Sequence, residues 1–299
     1  MGLEARVPIS DLGAARKDFA REITSRGKTH SPRLMRAFAA VPREQFLGKG
    51  PWRLRTLTGQ YTRTVDANPI HLYQDVRVAI DARRRLDNGL PSLWAEAFAA
   101  LDIKAGARIL QIGCGTGYYS AILAELVGPS GQVVALDCES GFVRQAQRNL
   151  KRYANIEVRH ADACQALGDT ADIIIAHAGF AQAHPQWLDA LNPRGRLLLP
   201  LTNRSRQGTL FKITRLGRGY SALALAGIEI IPGRGWATPA ASARVARWLD
   251  AKFSVRSLRR DAHRKDHTCW LHQVSSCWSK RAPAEEGRRN QPNRPPDAH

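Results

Sequence analysis

The chain has 299 residues, enough for one large α/β domain or a domain of about 200 residues with extensions. With 43% hydrophobic residues its composition is ordinary for a globular protein, and no stretch approaches the roughly 18 apolar residues of a membrane span, so no membrane partner is expected. The net charge of +19 is spread along the chain apart from the cluster Arg83-Arg84-Arg85. Nucleic acid or another acidic partner therefore stays open on long-range electrostatics, although no aromatic-rich RNA-binding signature accompanies the charge.

Residues 1–28 mix charged and apolar positions and lack the apolar core of a secretory signal, which predicts a cytoplasmic protein. Residues 11–47 read as helical: Leu12, Ala15, Phe19 and Ile23 recur at helical spacing, and Leu34, Ala37, Phe38 and Val41 do so again after Pro32. Residues 48–89 are rich in Pro, Gly, Arg and Asp with weak periodicity, and predict a long ordered loop region or a small subdomain.

From Pro91 the pattern alternates between helix and strand, which predicts an α/β fold: a doubly wound, mostly parallel Rossmann-like sheet. Pro91 opens a helix carrying Leu93, Ala97, Phe98 and Leu101 on one face. Strands are expected at 108–112, 132–136, 156–159, 172–176 and 196–199, with helices at 119–127, 141–153 and 185–191. An antiparallel closing pair is expected at 209–214 and 223–231. The predicted organisation is a helical and loop region on the substrate side (1–90), the nucleotide-binding core (91–232), a C-terminal extension (233–284) and a disordered tail (285–299), whose prolines and charges cannot bury a core.

The strand 108–112 runs into Gly113-Cys114-Gly115-Thr116-Gly117 and then a helix. Glycines let the backbone turn sharply and approach a ligand, while the helix start presents free N–H groups. Asp137 ends the next strand, 20 residues beyond Gly117, where a carboxylate can accept hydrogen bonds from both hydroxyls of a ribose. A dinucleotide loop needs a small residue at the position of Tyr118, so the spacing disfavours NAD and suits a ligand without a pyrophosphate. Asp162 ends the third strand at the same carboxyl edge; it can accept from an exocyclic amine such as that of adenine, and it can equally cap the following segment.

The five cysteines, Cys114, Cys138, Cys164, Cys269 and Cys277, are odd in number and scattered, which is no disulfide framework. The run His267-Thr268-Cys269-Trp270-Leu271-His272 followed by Cys277 offers two Cys and two His, but its spacing matches no common zinc pattern. The expectation is reduced, unpaired thiols and no metal.

The run from Ile109 through Gly113-Cys114-Gly115-Thr116-Gly117 to Ala121, with Val133 to Asp137, His160-Ala161-Asp162 and Leu191 to Pro200, resembles the core of class I methyltransferases. More narrowly, the phrase Phe38-Ala39-Ala40-Val41-Pro42-Arg43-Glu44-Gln45-Phe46, then Tyr73-Gln74-Asp75, then Gln207 and Leu210, is similar to the protein-L-isoaspartate O-methyltransferase family. The similarity spans roughly residues 33 to 215. The resemblance implies S-adenosyl-L-methionine as cosubstrate. It places Gly113, Cys114, Gly115 and Gly117 at its methionine part, Asp137 at its ribose, and Asp162 and Ala163 at its adenine end. It also implies carboxyl O-methylation of L-isoaspartyl residues in a damaged protein or peptide substrate. The family's active-site serine falls on Gly89 here, so Asn88 and Ser92 are the flanking candidates for its role, and Trp94 stands where the family has smaller or polar residues. The alternatives are the same chemistry on another protein site or a small-molecule acceptor, or a non-catalytic S-adenosylmethionine-binding module that contacts RNA or an acidic partner.

Overall fold

The computed structural model describes residues 9–56, 58–165, 168–217, 219–235, 245–246, 255–273 and 276–283. Helices α1 (Ile9–Arg26) and α2 (Pro32–Ala40) open the chain. Pro32 occupies the first turn of α2, and the Ser31 hydroxyl accepts from the Leu34 amide, so the helix is capped by local chemistry. Phe19, Ala20 and Ile23 of α1 and Leu34, Ala37 and Phe38 of α2 are buried at helical spacing. They pack with α3 (Pro91–Leu101) and α4 (Tyr118–Val127) in one core.

Residues 48–89 form a small subdomain. Strands β1 (Arg53–Arg55), β2 (Tyr61–Arg63), β3 (Arg77–Asp81) and β4 (Leu86–Asp87) make an antiparallel sheet in the order β2-β1-β3-β4. They have two to five residues each, too short to show a period in the sequence, and they close over Leu47, Trp52, Leu72 and Val78.

The main sheet contains β5 (Arg108–Ile112), β6 (Gln132–Asp137), β7 (Ile156–His160), β8 (Ala171–Ala176), β9 (Leu191–Thr202), β10 (Gln207–Leu216), β11 (Gly219–Glu229), β12 (Ser257–Arg259), β13 (Cys269–His272) and β14 (Cys277–Ser279). Helices α5 (Ser140–Asn149) and α6 (Pro185–Asp189) complete the α/β part. The strand order is β13-β14-β12-β11-β10-β9-β8-β5-β6-β7. β9, β8, β5, β6 and β7 are parallel neighbours, and from β10 onward every pairing is antiparallel. The expected doubly wound sheet with an antiparallel closing pair is therefore present. The chain moves from β5 outward to β6 and β7, then returns to β8 on the other side of β5. Ligands of open α/β sheets bind at the carboxyl ends of the strands beside such a reversal.

Several boundaries differ from the sequence expectation: α5 ends at Asn149, not 153, and α6 at Asp189, not 191, and two differences lie in the sheet. β9 begins at Leu191, not 196, because Asn192-Pro193-Arg194-Gly195, which reads as a turn, is an irregularity inside the strand: Ala171 pairs with Leu191 and Ile173 already with Arg196. The closing pair is a longer hairpin, since Leu216 pairs with Gly219 across residues that read as loop. The extension contributes β12, β13 and β14 to the same sheet, joined through the pairing of Tyr220 with Leu258. The tail expected at 285–299 lies outside the described residues, among which no helix is long and apolar enough to cross a membrane.

Candidate functional site

A cavity of about 420 Å³ opens at the carboxyl ends of β5, β6 and β8, within the size range of small-molecule sites. Gly113, Cys114 and Gly115 form one side, and Asp137, Cys138 and Glu139 the next. A smaller cavity of about 60 Å³ adjoins it, shares Gly113 and Asp137, and continues to Asp162 and Ala163. Four of the seven residues expected around a nucleotide thus line the larger cavity, and two more, Asp162 and Ala163, line the smaller one beside it.

The seventh, Gly117, lies outside that lining. It has φ +93° and caps α4, and a Cβ there would sit 2.8 Å from Leu150 Cδ1 at the end of α5. Its glycine is required by backbone conformation and helix packing, so it shapes the turn from behind. Tyr118, the residue that argues against NAD, is fully buried against Phe46 and Tyr119.

Asp137 is 7% exposed, and its carboxylate organises the loop. Oδ2 accepts from the Gly115 amide at 2.9 Å and Oδ1 from the Glu139 amide at 3.0 Å. Burial pushes its pKa up, and these backbone N–H groups pull it back. Asp162 accepts from the Cys164 amide at 3.0 Å within a turn, with no helix beginning there among the described residues, and it also lines the smaller cavity. Burial and the neighbouring Asp137 push the Cys114 thiol far up, which leaves it a neutral, inert side chain.

The opposite wall is built by the small subdomain and α3. Gly89 has φ +77°, and the space a Cβ would take is filled by the Trp94 indole, with Nε1 well inside contact distance. No side chain fits at position 89 while Trp94 keeps this rotamer. Asn88 lines the cavity, and its Oδ1 accepts from the Val78 amide at 3.0 Å and from Arg43 at 3.3 Å. Its Nδ2 is buried without a partner among the described residues. Ser92 is not part of the lining; its amide donates to Asp75 Oδ1 at 2.9 Å at the start of α3. The flanking candidates therefore separate: Asn88 is at the cavity, and Ser92 serves the helix start.

Sequence reasoning passed over His177, which follows β8 at the same sheet edge. Its ring lies 4.0 Å from Trp94 and is stacked on Tyr119 at 5.4 Å (ring centroids), half-buried in the cavity wall. Burial pushes its pKa down to about 3, so it is a neutral imidazole. Its Nε2 has no hydrogen-bond partner among the described residues. The signal was its position, directly after an apolar strand at the carboxyl edge, as for Asp137 and Asp162.

At the mouth, Arg55 pairs with Glu229 at 2.6 Å and Asp87 at 3.4 Å, and Arg77 lies 3.7 Å from Glu229. These pairs join the small sheet to the end of β11. Arg206 and Arg234 also line the cavity. Behind the wall, Arg43 is fully buried and donates to the carbonyls of Leu72 (2.7 Å), Gln74 (3.0 Å) and Val76 (2.6 Å) as well as to Asn88. Its guanidinium thus holds the 72–88 segment in place.

Comparison with known proteins gives this geometry a family. The model of the family described as Protein-L-isoaspartate(D-aspartate) O-methyltransferase matches residues 14–227. The chain is similar to the protein-L-isoaspartate O-methyltransferases of Rhodopseudomonas palustris (28% identical, 76% of this chain and 97% of the relative) and Ignicoccus hospitalis (25%, 73% and 96%). That of Methanothrix thermoacetophila is 31% identical over 59% of this chain and 77% of the relative. Among solved structures the fold is shared with a protein-L-isoaspartate O-methyltransferase (TM-score 0.61, 22% identity, 80% of this chain and 71% of that one). It is also shared with a putative Plasmodium falciparum enzyme of that name in complex with S-adenosyl-L-homocysteine (TM-score 0.57, 18% identity, 72% and 96%).

Proposed function

The chain belongs to the protein-L-isoaspartate(D-aspartate) O-methyltransferase family, and from that membership we propose that it methylates the carboxylate of an L-isoaspartyl residue in a protein or peptide. It is an S-adenosyl-L-methionine-dependent methyltransferase. The observation that supports the reading is the cavity joining the Asp137-anchored glycine loop to the Gly89–Trp94 wall, with the smaller cavity at Asp162 and Ala163 beside it.

The donor set fits the cosubstrate. In our assignment Gly113, Cys114 and Gly115 bound its methionine part, Asp137 accepts from the ribose hydroxyls, and Asp162 with Ala163 meets the adenine end. When bound, S-adenosyl-L-methionine supplies an electrophilic methyl on a sulfonium. A carboxylate acceptor is already deprotonated at neutral pH, so the residues here need supply no general base; their task is alignment and exclusion of water. Asn88 Nδ2 is the nearby unpartnered donor suited to a carboxylate oxygen, and Arg206 and Arg234 bias the mouth toward anions. Neutral His177 and Trp94 form the apolar side of the acceptor space. The free cysteines support a reducing, cytoplasmic setting.

The test is incubation with methyl-labelled S-adenosyl-L-methionine and a pair of peptides that differ only in isoaspartyl against aspartyl linkage. The expected result is a base-labile methyl ester on the isoaspartyl peptide alone. Normal binding of S-adenosyl-L-homocysteine with no ester on either peptide would overturn the substrate assignment. One observation favours a second reading, a different acceptor on the same site: the Trp94 indole occupies the position the family gives to a serine side chain. Label transferred to another protein site or a small carboxylic acid, with none on isoaspartate, would select it.

A further inference from the structure

In the C-terminal extension, three side chains whose spacing matched no common zinc pattern converge with a fourth from the preceding loop. His263, Cys269, His272 and Cys277 each offer one ligand atom, and all four atoms lie within 4.8 Å of one another. We propose that they form a closed Cys2His2 zinc site that fastens the extension hairpin. Spacing along the chain hid it: the sequence drew attention to His267, which is exposed, while the fold brings in His263 from the preceding loop.

The hairpin supplies the geometry. Cys269 and His272 lie on β13, Cys277 begins β14, and His272 stands directly opposite Cys277 in the register. A tetrahedral zinc with Zn–S of about 2.3 Å and Zn–N of about 2.0 Å puts its ligand atoms roughly 3.3–3.8 Å apart. Cys269 Sγ is 3.3 Å from His263 Nε2, so this edge already has the required length. The two imidazoles stand nearly perpendicular, with ring centroids 4.9 Å apart, which allows one nitrogen of each to point to a common centre.

The surroundings match those of a metal site. His263 Nδ1 lies 2.8 Å from the Asp261 carbonyl, a bond that places the proton on Nδ1 and leaves the Nε2 lone pair facing Cys269. The Asp266 amide donates to Cys269 Sγ at 3.3 Å, the kind of bond that stabilises a thiolate. The same sulfur lies 3.4 Å from Asp266 Oδ1, a contact of the protonated thiol that metal binding replaces. Arg259 pairs with Asp261 at 2.7 Å and lies 3.6 Å from Asp266, tying together the two residues whose main chains serve the ligands. His272 Nδ1 is buried without a partner among the described residues, and an orphaned imidazole nitrogen in such a cluster asks for a ligand. Two thiolates and two imidazoles make a neutral, closed set with zinc and leave no position for substrate, so the role is structural.

The full-length protein, purified under reducing conditions without added chelator, should contain about one zinc per chain by elemental mass spectrometry. Exchange for Co2+ should give tetrahedral ligand-field and thiolate-to-cobalt charge-transfer bands. Alkylation mapping of the metal-loaded protein should find Cys269 and Cys277 protected while Cys138 and Cys164 react. The double variant Cys269→Ser/Cys277→Ser should lose at least about tenfold in zinc content; if it does not fold, the cobalt spectrum and the alkylation pattern of the wild type still decide. Wild-type protein that neither contains zinc nor takes it up, a Cys269–Cys277 disulfide in the reduced preparation, or full zinc content in the double variant would each overturn the proposal.

Discussion

Gly89 and Trp94 form a pair in which each residue dictates the other. Serine at 89 meets two costs: a left-handed backbone and an indole already in its place, together about 2–4 kcal/mol. Gly89→Ser alone is therefore expected to lower the melting temperature, and Trp94→Val in the same chain to recover the steric part. Thermal melts of the two single variants and the double variant give the coupling. Additive effects would show that the indole does not occupy that space. Asp137→Ala removes both the loop anchor and the assigned ribose acceptor, and calorimetric affinity for S-adenosyl-L-homocysteine should fall at least about 100-fold; unchanged affinity would contradict the site assignment. His177 has a pH signature of its own. Folded, it stays neutral down to about pH 3; unfolded, it takes up a proton near 6.5. Between those values the unfolded state binds the extra proton, so stability falls as pH drops through the window, at a limiting slope of about 1.4 kcal/mol per unit. His177→Phe, which keeps the stack on Trp94 and Tyr119, should flatten that acid limb in melts from pH 7 to 4. Parallel curves for variant and wild type would exclude a buried neutral imidazole.

The elements around the site differ in how openly the sequence declares them. β5, α4, β6 and β8 carry long apolar runs punctuated by glycine loops, and Asp137 and Asp162 could be placed at the carboxyl edge by counting. The small sheet was hidden because its strands span two to five residues and are stabilised from outside, by Arg43 beneath and by the Arg55–Glu229 pair at the mouth. His177 was hidden for a related reason: its burial comes from Trp94, Phe98 and Tyr119 on other elements, which no local pattern records. The metal cluster joins a loop to two strands across a sequence span that matches no linear motif. Arg43 tests the argument at this scale. Its planar fork reaches three carbonyls and Asn88 at once, which a lysine ammonium cannot. Arg43→Lys should destabilise by about 3 kcal/mol in denaturant melts and raise KM more than it lowers kcat, because the 72–88 segment carries the wall we assign to the acceptor. An unchanged KM would mean that the wall holds its shape without the guanidinium.

At the scale of the molecule, the sheet runs without interruption from β7 at one edge to β13 at the other, where the proposed metal site lies. Trp278 of β14 is fully buried and packs its ring 4.8 Å from Phe211 of β10. Gln273 donates to the Ala181 carbonyl at 2.9 Å, beyond the end of β8. The extension therefore shares one apolar core with the parallel half of the sheet, including Leu110, Ile174 and Leu199. A shared core predicts one cooperative unfolding transition, with tryptophan fluorescence and far-ultraviolet circular dichroism melting together. Trp278→Ala leaves a large void in that core and should cost about 3–5 kcal/mol, shifting both signals downward by the same amount, on the order of 10 °C. If the extension were a separate unit, the variant would split the transition, and the midpoint of S-adenosyl-L-homocysteine release would stay at the wild-type temperature. Following ligand release and both spectroscopic signals in one heating series separates the two outcomes, and continuity of the sheet requires all three midpoints to move together.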